Sequence, residues 1–335
     1  MSGISIIVCC YNSAKRISQT LDFLSKLKIP PLTPCEIIVV DNASSDNTRD
    51  VVQQQWAKSS NSDINLKIVS QPIPGLSFAK QKGMEEAAYD YFVFCDDDNL
   101  LEADYIGSAK KILDSYQEVG IIGGNNYYYG NVNNFVSQNY VGDFAVGIQA
   151  ESEYDDITDE RGFVWGAGMV VRRDVFYTLK EKGFQSLVSG RKGNKLLSGE
   201  DTELCFVARL CHWRIATSNL LVLHHAIPDS RFTLSYLTRM KEGFGQADPF
   251  LNIYRKAWEK KRNKETTYNY KQEVKTTFRR LVDFKKAILA YLTKQQQERK
   301  DYVELHYYLG KLQTLIKRGR ELDTEFQNIL QKYHV

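Results

Sequence analysis

No stretch of this sequence approaches the ~18 consecutive apolar residues that a membrane-crossing helix needs. The strongest candidate late in the chain, LLVLHHAI at 220–227, is short and carries two histidines. The opening MSGISIIVCC lacks a basic leader and a small-residue cleavage site, so it reads as a first strand, and a cytoplasmic location is expected. No Cys-x-x-Cys spacing occurs, which removes the usual zinc and redox signatures. The six cysteines (Cys9, Cys10, Cys35, Cys95, Cys205 and Cys211) lie in or beside apolar runs and read as buried free thiols. There is no GxxxxGK[ST] and no strand followed by GxGxxG, so P-loop and dinucleotide-binding readings lose their support. No repeat with a period of 20 to 50 residues is visible, which excludes solenoids and propellers. No proline follows Pro249, and beyond it only Gly310 and Gly319 interrupt the best helix formers. Long helices are expected there.

What is present describes a folded globular chain. With 43% hydrophobic and 25% charged residues, disorder is not expected. A length of 335 residues suits one large α/β domain with an appendage, or two modest domains. The net charge of +3 conceals an asymmetry: residues 251–335 hold 20 Lys and Arg against 10 Asp and Glu, leaving 24 against 31 before them. The two parts therefore carry +10 and −7, which marks a boundary.

Short β-rich runs alternate with helix-period runs from the start. ISIIVCC precedes SAKRISQTLDFLSKL, whose Ile17, Leu21, Leu24 and Leu27 share a face; EIIVVD precedes NTRDVVQQQWA; LKIVS precedes LSFAKQKGMEEAAYD. YFVFCDDD, ADYIGSAKKILDSYQ and VGIIGG continue the pattern. Strands apolar on both faces predict a mostly parallel sheet between helices. After Gly124 the polar, aromatic NNYYYGNVNNFVSQNY has no period and reads as loops with an irregular second part of the sheet. GFVWGAGMVVRRDVF then predicts a strand entering a helix, and GEDTELCFVARLCHWRIATSNLLVLHH a helix followed by a strand. Near the end, Leu281, Phe284, Ile288 and Tyr291 recur at helical spacing in a basic segment. They predict either a helix packed on the main domain or a basic amphipathic helix resting on anionic lipid.

The apolar run YFVFC ends in Asp96, Asp97 and Asp98. Neighbouring carboxylates held ~4 Å apart repel by roughly 4 kcal/mol at an effective dielectric near 20, so a positive partner is expected. Strand alternation would place Asp96 and Asp98 on one face, with Asp97 turned away. Ligands of open α/β sheets bind outside the carboxyl ends of the strands, and VVDNASSD brings Asp41 to that same edge. Hard oxygen ligands suit Mg²⁺ or Mn²⁺, with positions left open for phosphates. The structural alternative is a solvated acidic loop or a helix N-terminal cluster.

SIIVCCYN, IIVVDNASSDNT, PGLSFAKQKGM, FCDDDN, WGAGMVVRRDVF and SGEDTELC occur in the order and at the intervals of the family 2 glycosyltransferases, over about residues 4–232. The chain resembles that family. The resemblance implies a GT-A type nucleotide-diphospho-sugar transferase fold over residues 1–228, with a basic, mainly helical C-terminal extension over 229–335. It implies that Asp41 holds the base or ribose of the donor, with Tyr11 lining the base pocket. Asp96 and Asp98 would form the DxD motif, Asp96 toward the ribose and Asp98 toward a Mn²⁺ or Mg²⁺ ion on the diphosphate; no role carries onto Asp97. Trp165, Gly166 and Ala167 match the segment that walls the donor sugar; Trp165 would stack on an acceptor sugar or lie in the core. His225 sits where similar enzymes reach back to the metal or phosphate, whereas His224 faces the other way on a strand. Asp201 matches the general base that takes the acceptor hydroxyl's proton, and Glu200 would shape acceptor contacts. Helix N-terminal acids also serve as caps, which is the structural reading of this pair.

Two departures stand out. Ala79, Lys80 and Gln81 replace the family's Ala-Arg-Asn, so Lys80 keeps the charge near the nucleotide but not the bidentate fork. The QxxRW motif of processive synthases is absent, which favours single-sugar transfer. The expected activity is inverting transfer of one sugar, from a nucleotide donor with UDP-sugars favoured, to a saccharide or lipid-linked saccharide in surface polysaccharide or glycoconjugate synthesis. The alternative is a non-catalytic scaffold that binds glycan or nucleotide. The basic tail has no nucleic-acid motif, so no nucleic-acid partner is expected; a peripheral contact at the inner face of the membrane accounts for its charge.

Overall fold

The computed structural model describes residues 3–59, 64–131, 133–188 and 198–335. The chain divides into two units. The first comprises residues 1–131, 141–184 and 211–227; the second comprises 132–140, 185–210 and 228–335.

The first unit carries, among the described residues, a nine-stranded sheet. β1 (Ile4–Cys10), β2 (Cys35–Asp41), β3 (Ile64–Ser70) and β4 (Tyr91–Asp96) are followed by β5 (Asn99–Leu101), β6 (Val119–Tyr128), β7 (Asp155–Asp156), β8 (Val170–Arg172) and β9 (Arg214–His225). The order is β3-β2-β1-β4-β8-β6-β9-β5, with β7 on β9. The pairs β1–β2, β1–β4, β2–β3 and β6–β9 are parallel; β8, β5 and β7 pair antiparallel. The parallel half is the one read from the alternating pattern. β6 extends to Tyr128, so of the loops and irregular sheet expected after Gly124, NNYY belongs to the sheet, past a register shift at Gly124–Asn125. Pairing with the long β9 supplies the backbone partners that local periodicity could not reveal.

Helices cover both faces. Ile4, Ile6, Val8 and Cys10 pack with Ile17, Leu21 and Leu24 of α1 (Ile17–Leu24), together with residues from β2, β4 and α4 (Tyr105–Ser115). On the opposite face, α3 (Leu76–Glu86) lies against β1 and β2. It comes so near at Gly83 that a Cβ there would run into Ile7. α2 (Thr48–Trp56) and α6 (Arg173–Glu181) complete this unit's helices. Among the described residues none of the six cysteines is in a disulfide, and Cys9 and Cys211 are only partly covered.

The second unit contains α5 (Phe135–Tyr140), α7 (Glu200–Leu210), α8 (Leu234–Lys261), α9 (Tyr270–Val282), α10 (Lys285–Leu292) and α11 (Lys300–Lys332). α8 and α11 cross at glycines: a Cβ on Gly310 would strike the carbonyl oxygen of Glu242, and one on Gly245 that of Tyr307. Gly310 is thus a point of backbone approach inside a 33-residue helix and not a stop. The predicted single stripe from Leu281 to Tyr291 is broken between α9 and α10, with Phe284 at the N-cap of α10. Leu281, Ala287 and Ala290 are buried against Tyr302 and Leu305 of α11, while Tyr291 is exposed.

A buried ionic network joins these helices. Asp248 meets Arg255 (2.8 Å) and Lys311 (2.7 Å), and Lys311 also meets Glu273 (2.9 Å). Burial pushes the Asp248 carboxyl up, but Arg255 and Lys311 outweigh it and hold it below the usual range. A carboxyl depressed in the fold contributes stability above its unfolded pKa and loses it as pH falls through the folded value. Asp248→Asn is therefore expected to flatten the loss of melting temperature on acidification below about pH 4, read from a Tm-versus-pH series.

Candidate active site

The carboxyl ends of β2, β1 and β4 lie side by side. Register sets Asp41 opposite Cys10 and Asp96 opposite Cys9, so both acids stand level with the end of the central strand. The loops that leave β1 and β2 are laced together. Asn12 N–H donates to Ser44 Oγ (3.0 Å), Ser45 N–H to Asn12 Oδ1 (2.8 Å), and Ser13 N–H to Thr48 Oγ1 (2.8 Å). Asn12 and Ala43 adopt left-handed backbone, which lets each strand turn sharply into its loop. Asp41 is buried, accepts from Ser44 N–H (3.2 Å), and faces Arg49 of α2 at 3.6 Å. Tyr11, the first residue after β1, is 53% exposed.

Asn42 does work that the sequence reading missed. Its amide donates to the carbonyls of Gln71 (3.0 Å) and Ile73 (2.7 Å), and its Oδ1 accepts from Gly75 N–H (2.8 Å). It thereby holds the segment that leads into α3. Gly75, at φ 145°, makes a turn that L side chains rarely adopt. α3 then carries Lys80, whose Nζ lies 5.4 Å from the centre of the Phe94 ring on β4, two residues before Asp96.

The three aspartates part company. The strand ends at Asp96, so the alternation expected to put Asp96 and Asp98 on one face does not extend past it. Asp96 is half-buried, and its N–H donates to Asn99 Oδ1 (3.0 Å). Asp97 is buried and meets the anticipated positive partner: its Oδ2 accepts from Arg16 Nη2 (2.5 Å) and from the Ser13 hydroxyl. Thr20 Oγ1 donates to its carbonyl (2.9 Å). Burial pushes the Asp97 carboxyl up, Asp98 adds to this, and Arg16 opposes it. Asp97 thus anchors the start of α1 under the acidic turn. Asp97→Ala is expected to destabilise the first unit by about 3 kcal/mol by leaving Arg16 without its counter-charge, a loss that urea unfolding would measure.

Asp98 is buried beside β9. Its Oδ1 accepts from Asn99 Nδ2 (3.3 Å) and lies 3.3 Å from His225 Nε2; its carbonyl accepts from Ala226 N–H (2.8 Å). β5 pairs Asn99 with His225, and this pairing brings the turn and the histidine together. The other ring nitrogen of His225, Nδ1, is buried and has no hydrogen-bond partner among the described residues. A cleft of about 350 Å³ opens beside Asp98 on the α1 side, lined by Lys15, Arg16, Gln19, Thr20 and Leu100. His224 faces away, 2.7 Å from Glu102 Oε1, with its ring near those of Tyr127 and Tyr129.

Gly166 and Ala167 run alongside the end of β4, because Gly168 N–H donates to the Phe94 carbonyl (3.0 Å) and Phe94 N–H to that of Met169 (2.9 Å). Gly168 has φ 76°, and a Cβ there would collide with Tyr105, whose hydroxyl donates to the Gly168 carbonyl at 2.5 Å. Ala167 is buried in the core, whereas Trp165 is half-exposed, with its N–H on Gln149 Oε1 (3.2 Å).

In the second unit, Glu200 and Asp201 open α7. Glu200 Oε2 accepts from Gly199 N–H (3.1 Å) and Asp201 Oδ1 from Thr202 N–H (2.8 Å), contacts that satisfy amides at the helix start. Two residues on, the buried Glu203 accepts from Leu187 N–H (2.8 Å), Val188 N–H (3.3 Å), Tyr254 Oη (3.0 Å) and the Ser186 hydroxyl. Burial pushes this carboxyl up against those four donors. Glu203 ties α7 both to the segment at 186–188 and to α8, and so holds the helix that presents Asp201. Its place on the stripe with Phe206, Val207 and Leu210 was the available signal in the sequence.

Asp98 and His225 are buried side chains near enough to share one divalent ion. One carboxylate oxygen and one imidazole nitrogen stand 3.3 Å apart, a spacing that two ligands of one ion can have. Among the described residues no group of three His, Cys, Asp or Glu side chains is arranged to hold a metal. The set is small, as for an ion that keeps positions open to phosphate oxygens.

The open sheet, its acidic carboxyl edge and its helices are those of a GT-A type fold. The chain belongs to glycosyl transferase family 2, whose sequence model matches residues 5–180. A poly-beta-1,6-N-acetyl-D-glucosamine synthase of Staphylococcus epidermidis is 27% identical over 104 residues, 31% of this chain and 24% of that one. A cholesterol galactosyltransferase of Borreliella burgdorferi is 34% identical over 101 residues, 30% of this chain and 26% of that one. The chain thus spans about a quarter of the length of these curated relatives. In structure it resembles a mannosyltransferase from Pyrobaculum calidifontis solved with GDP-Man and Mn²⁺: TM-score 0.53, 16% identity, with 98% of this chain and 74% of that one covered. Among the described residues no helix is long and apolar enough to cross a membrane.

Proposed function

We propose that this protein transfers one sugar, with inversion, from a nucleotide-diphosphate sugar to a saccharide or lipid-linked saccharide in surface polysaccharide or glycoconjugate synthesis. UDP-sugars are the favoured donors. The observation that carries this reading is the acidic edge: Asp41 and Asp96 level with the end of β1, and the buried Asp98–His225 pair beyond them. In this reading Tyr11 and Asp41 bind the base and ribose, Asp96 the ribose, and Lys80 the diphosphate. Gly166 and Ala167 admit the donor sugar close to the backbone, and Trp165 and Glu200 meet the acceptor. Asp98 and His225 would hold Mn²⁺ or Mg²⁺, which when bound offsets the charge on the departing diphosphate. Asp201 takes the acceptor hydroxyl's proton at its carboxylate as the hydroxyl oxygen attacks the anomeric carbon and the nucleoside diphosphate leaves. The acceptor is met at the inner face of the membrane, which the C-terminal helices contact.

The test is a thermal-shift screen of UDP- and GDP-sugars with and without Mn²⁺. A donor present at a hundred times its Kd should add about 2.7 kcal/mol of stability, and only with the metal. If no nucleotide sugar shifts the melting temperature, the transferase reading falls.

A further inference from the structure

The α9–α10 elbow has an inner and an outer side of opposite character. Inside, Leu281, Ala287 and Ala290 are buried on α11. Outside, Phe278 is 60%, Leu289 63% and Leu292 70% exposed, and Val282 is exposed beside them. On α9, Lys271, Lys275, Phe278 and Val282 follow one another at steps of four, three and four, which is one helical stripe. On α10, Lys285, Leu289 and Leu292 form another. Each stripe thus joins cations to apolar side chains.

Residues 270–294 contain seven Lys and Arg against two acids, Glu273 and Asp283. Glu273 is already engaged by Lys311 and Asn252. All seven cations are exposed, and among the described residues none of them forms an ion pair. We propose that this elbow docks on an anionic lipid bilayer, with Phe278, Val282, Leu289 and Leu292 entering the acyl boundary and the cations meeting lipid phosphates. Charge complementarity selects this occupant. A second copy docked through the same patch would set seven cations against seven. Nucleic acid would meet the phosphate-binding cations but leave the aliphatic leucines and valine unused. The surface gives the membrane contact of the proposed function a definite location and rests on that reading only for its biological purpose.

The experiment is co-sedimentation of the full chain with phosphatidylcholine vesicles, with or without phosphatidylglycerol. The expected result is binding to the anionic vesicles only, lost at high salt. Leu289→Ser/Leu292→Ser and Lys285→Glu/Lys286→Glu should each weaken it about tenfold or more. These positions are exposed, so both variants should keep the native melting temperature, which circular dichroism checks. Equal binding of native and variant chains, or none by the native chain, overturns the proposal. So does a concentration-dependent dimer that the leucine variant abolishes, since it would give the face to a second copy. Vesicle binding is read without donor: its loss with an intact nucleotide-sugar shift counts against the elbow alone, and the converse counts against the transferase reading alone.

Discussion

Asp201→Asn is expected to lower kcat for sugar transfer by about 10²–10⁴-fold while leaving donor binding and stability near native. Asparagine keeps the shape of the side chain and an oxygen that can accept from Thr202 N–H, the contact Asp201 makes at the start of α7. What it loses is the capacity to take a proton from the acceptor hydroxyl. A purely capping acid would give the opposite result: a stability change within about 0.3–1 kcal/mol, from its charge at the helix N-terminus, and unchanged turnover. Steady-state kinetics beside a thermal melt separates the two. Glu203 must stay intact in the comparison, because its four donors hold α7 to the segment at 186–188 and to α8.

Asp98→Ala is expected to abolish the Mn²⁺-dependent stabilisation by nucleotide sugars, and transfer with it. Of the two proposed ligands, the carboxylate supplies the negative charge that would hold a hard cation, and it is buried 3.3 Å from His225. His225→Ala should weaken the metal dependence by about 10–100-fold and leave donor selectivity unchanged. Titrating Mn²⁺ at fixed donor, with melting temperature as the readout, measures both. A donor shift that survives Asp98→Ala would remove the ion from this position. Asp97, one residue away, behaves differently: its partners are Ser13 and Arg16, so its loss should appear in unfolding and not in the metal titration.

The three adjacent aspartates show how far the sequence could be read. Like charges packed at the end of an apolar strand demanded a partner, and Arg16 provides one. Which aspartate it would meet depended on where the strand stopped. Alternation paired Asp96 with Asp98 on the assumption of extended backbone. The turn after Asp96 rotates Asp98 toward a histidine 127 positions later in the chain, brought there by β5–β9 pairing. Asn42 escaped notice for a related reason: it organises its surroundings through backbone amides and carbonyls of a distant segment, contacts that leave no periodic trace, whereas Glu203 showed only as a carboxylate on the apolar stripe of α7.

Alternation of apolar strands and helix-period runs sufficed to specify the parallel half of the sheet, since burial of both faces is written into each strand separately. The same local logic marked the acidic tips at residues 41, 96 and 98 and the helical character of the proline-free end. Only the folded chain decided which strands run antiparallel, that β6 continues to Tyr128, that α7 groups with the C-terminal helices, and that Gly310 is a crossing point. Those features depend on pairing and close approach between residues far apart in sequence, where tertiary packing overrides what any short window prefers.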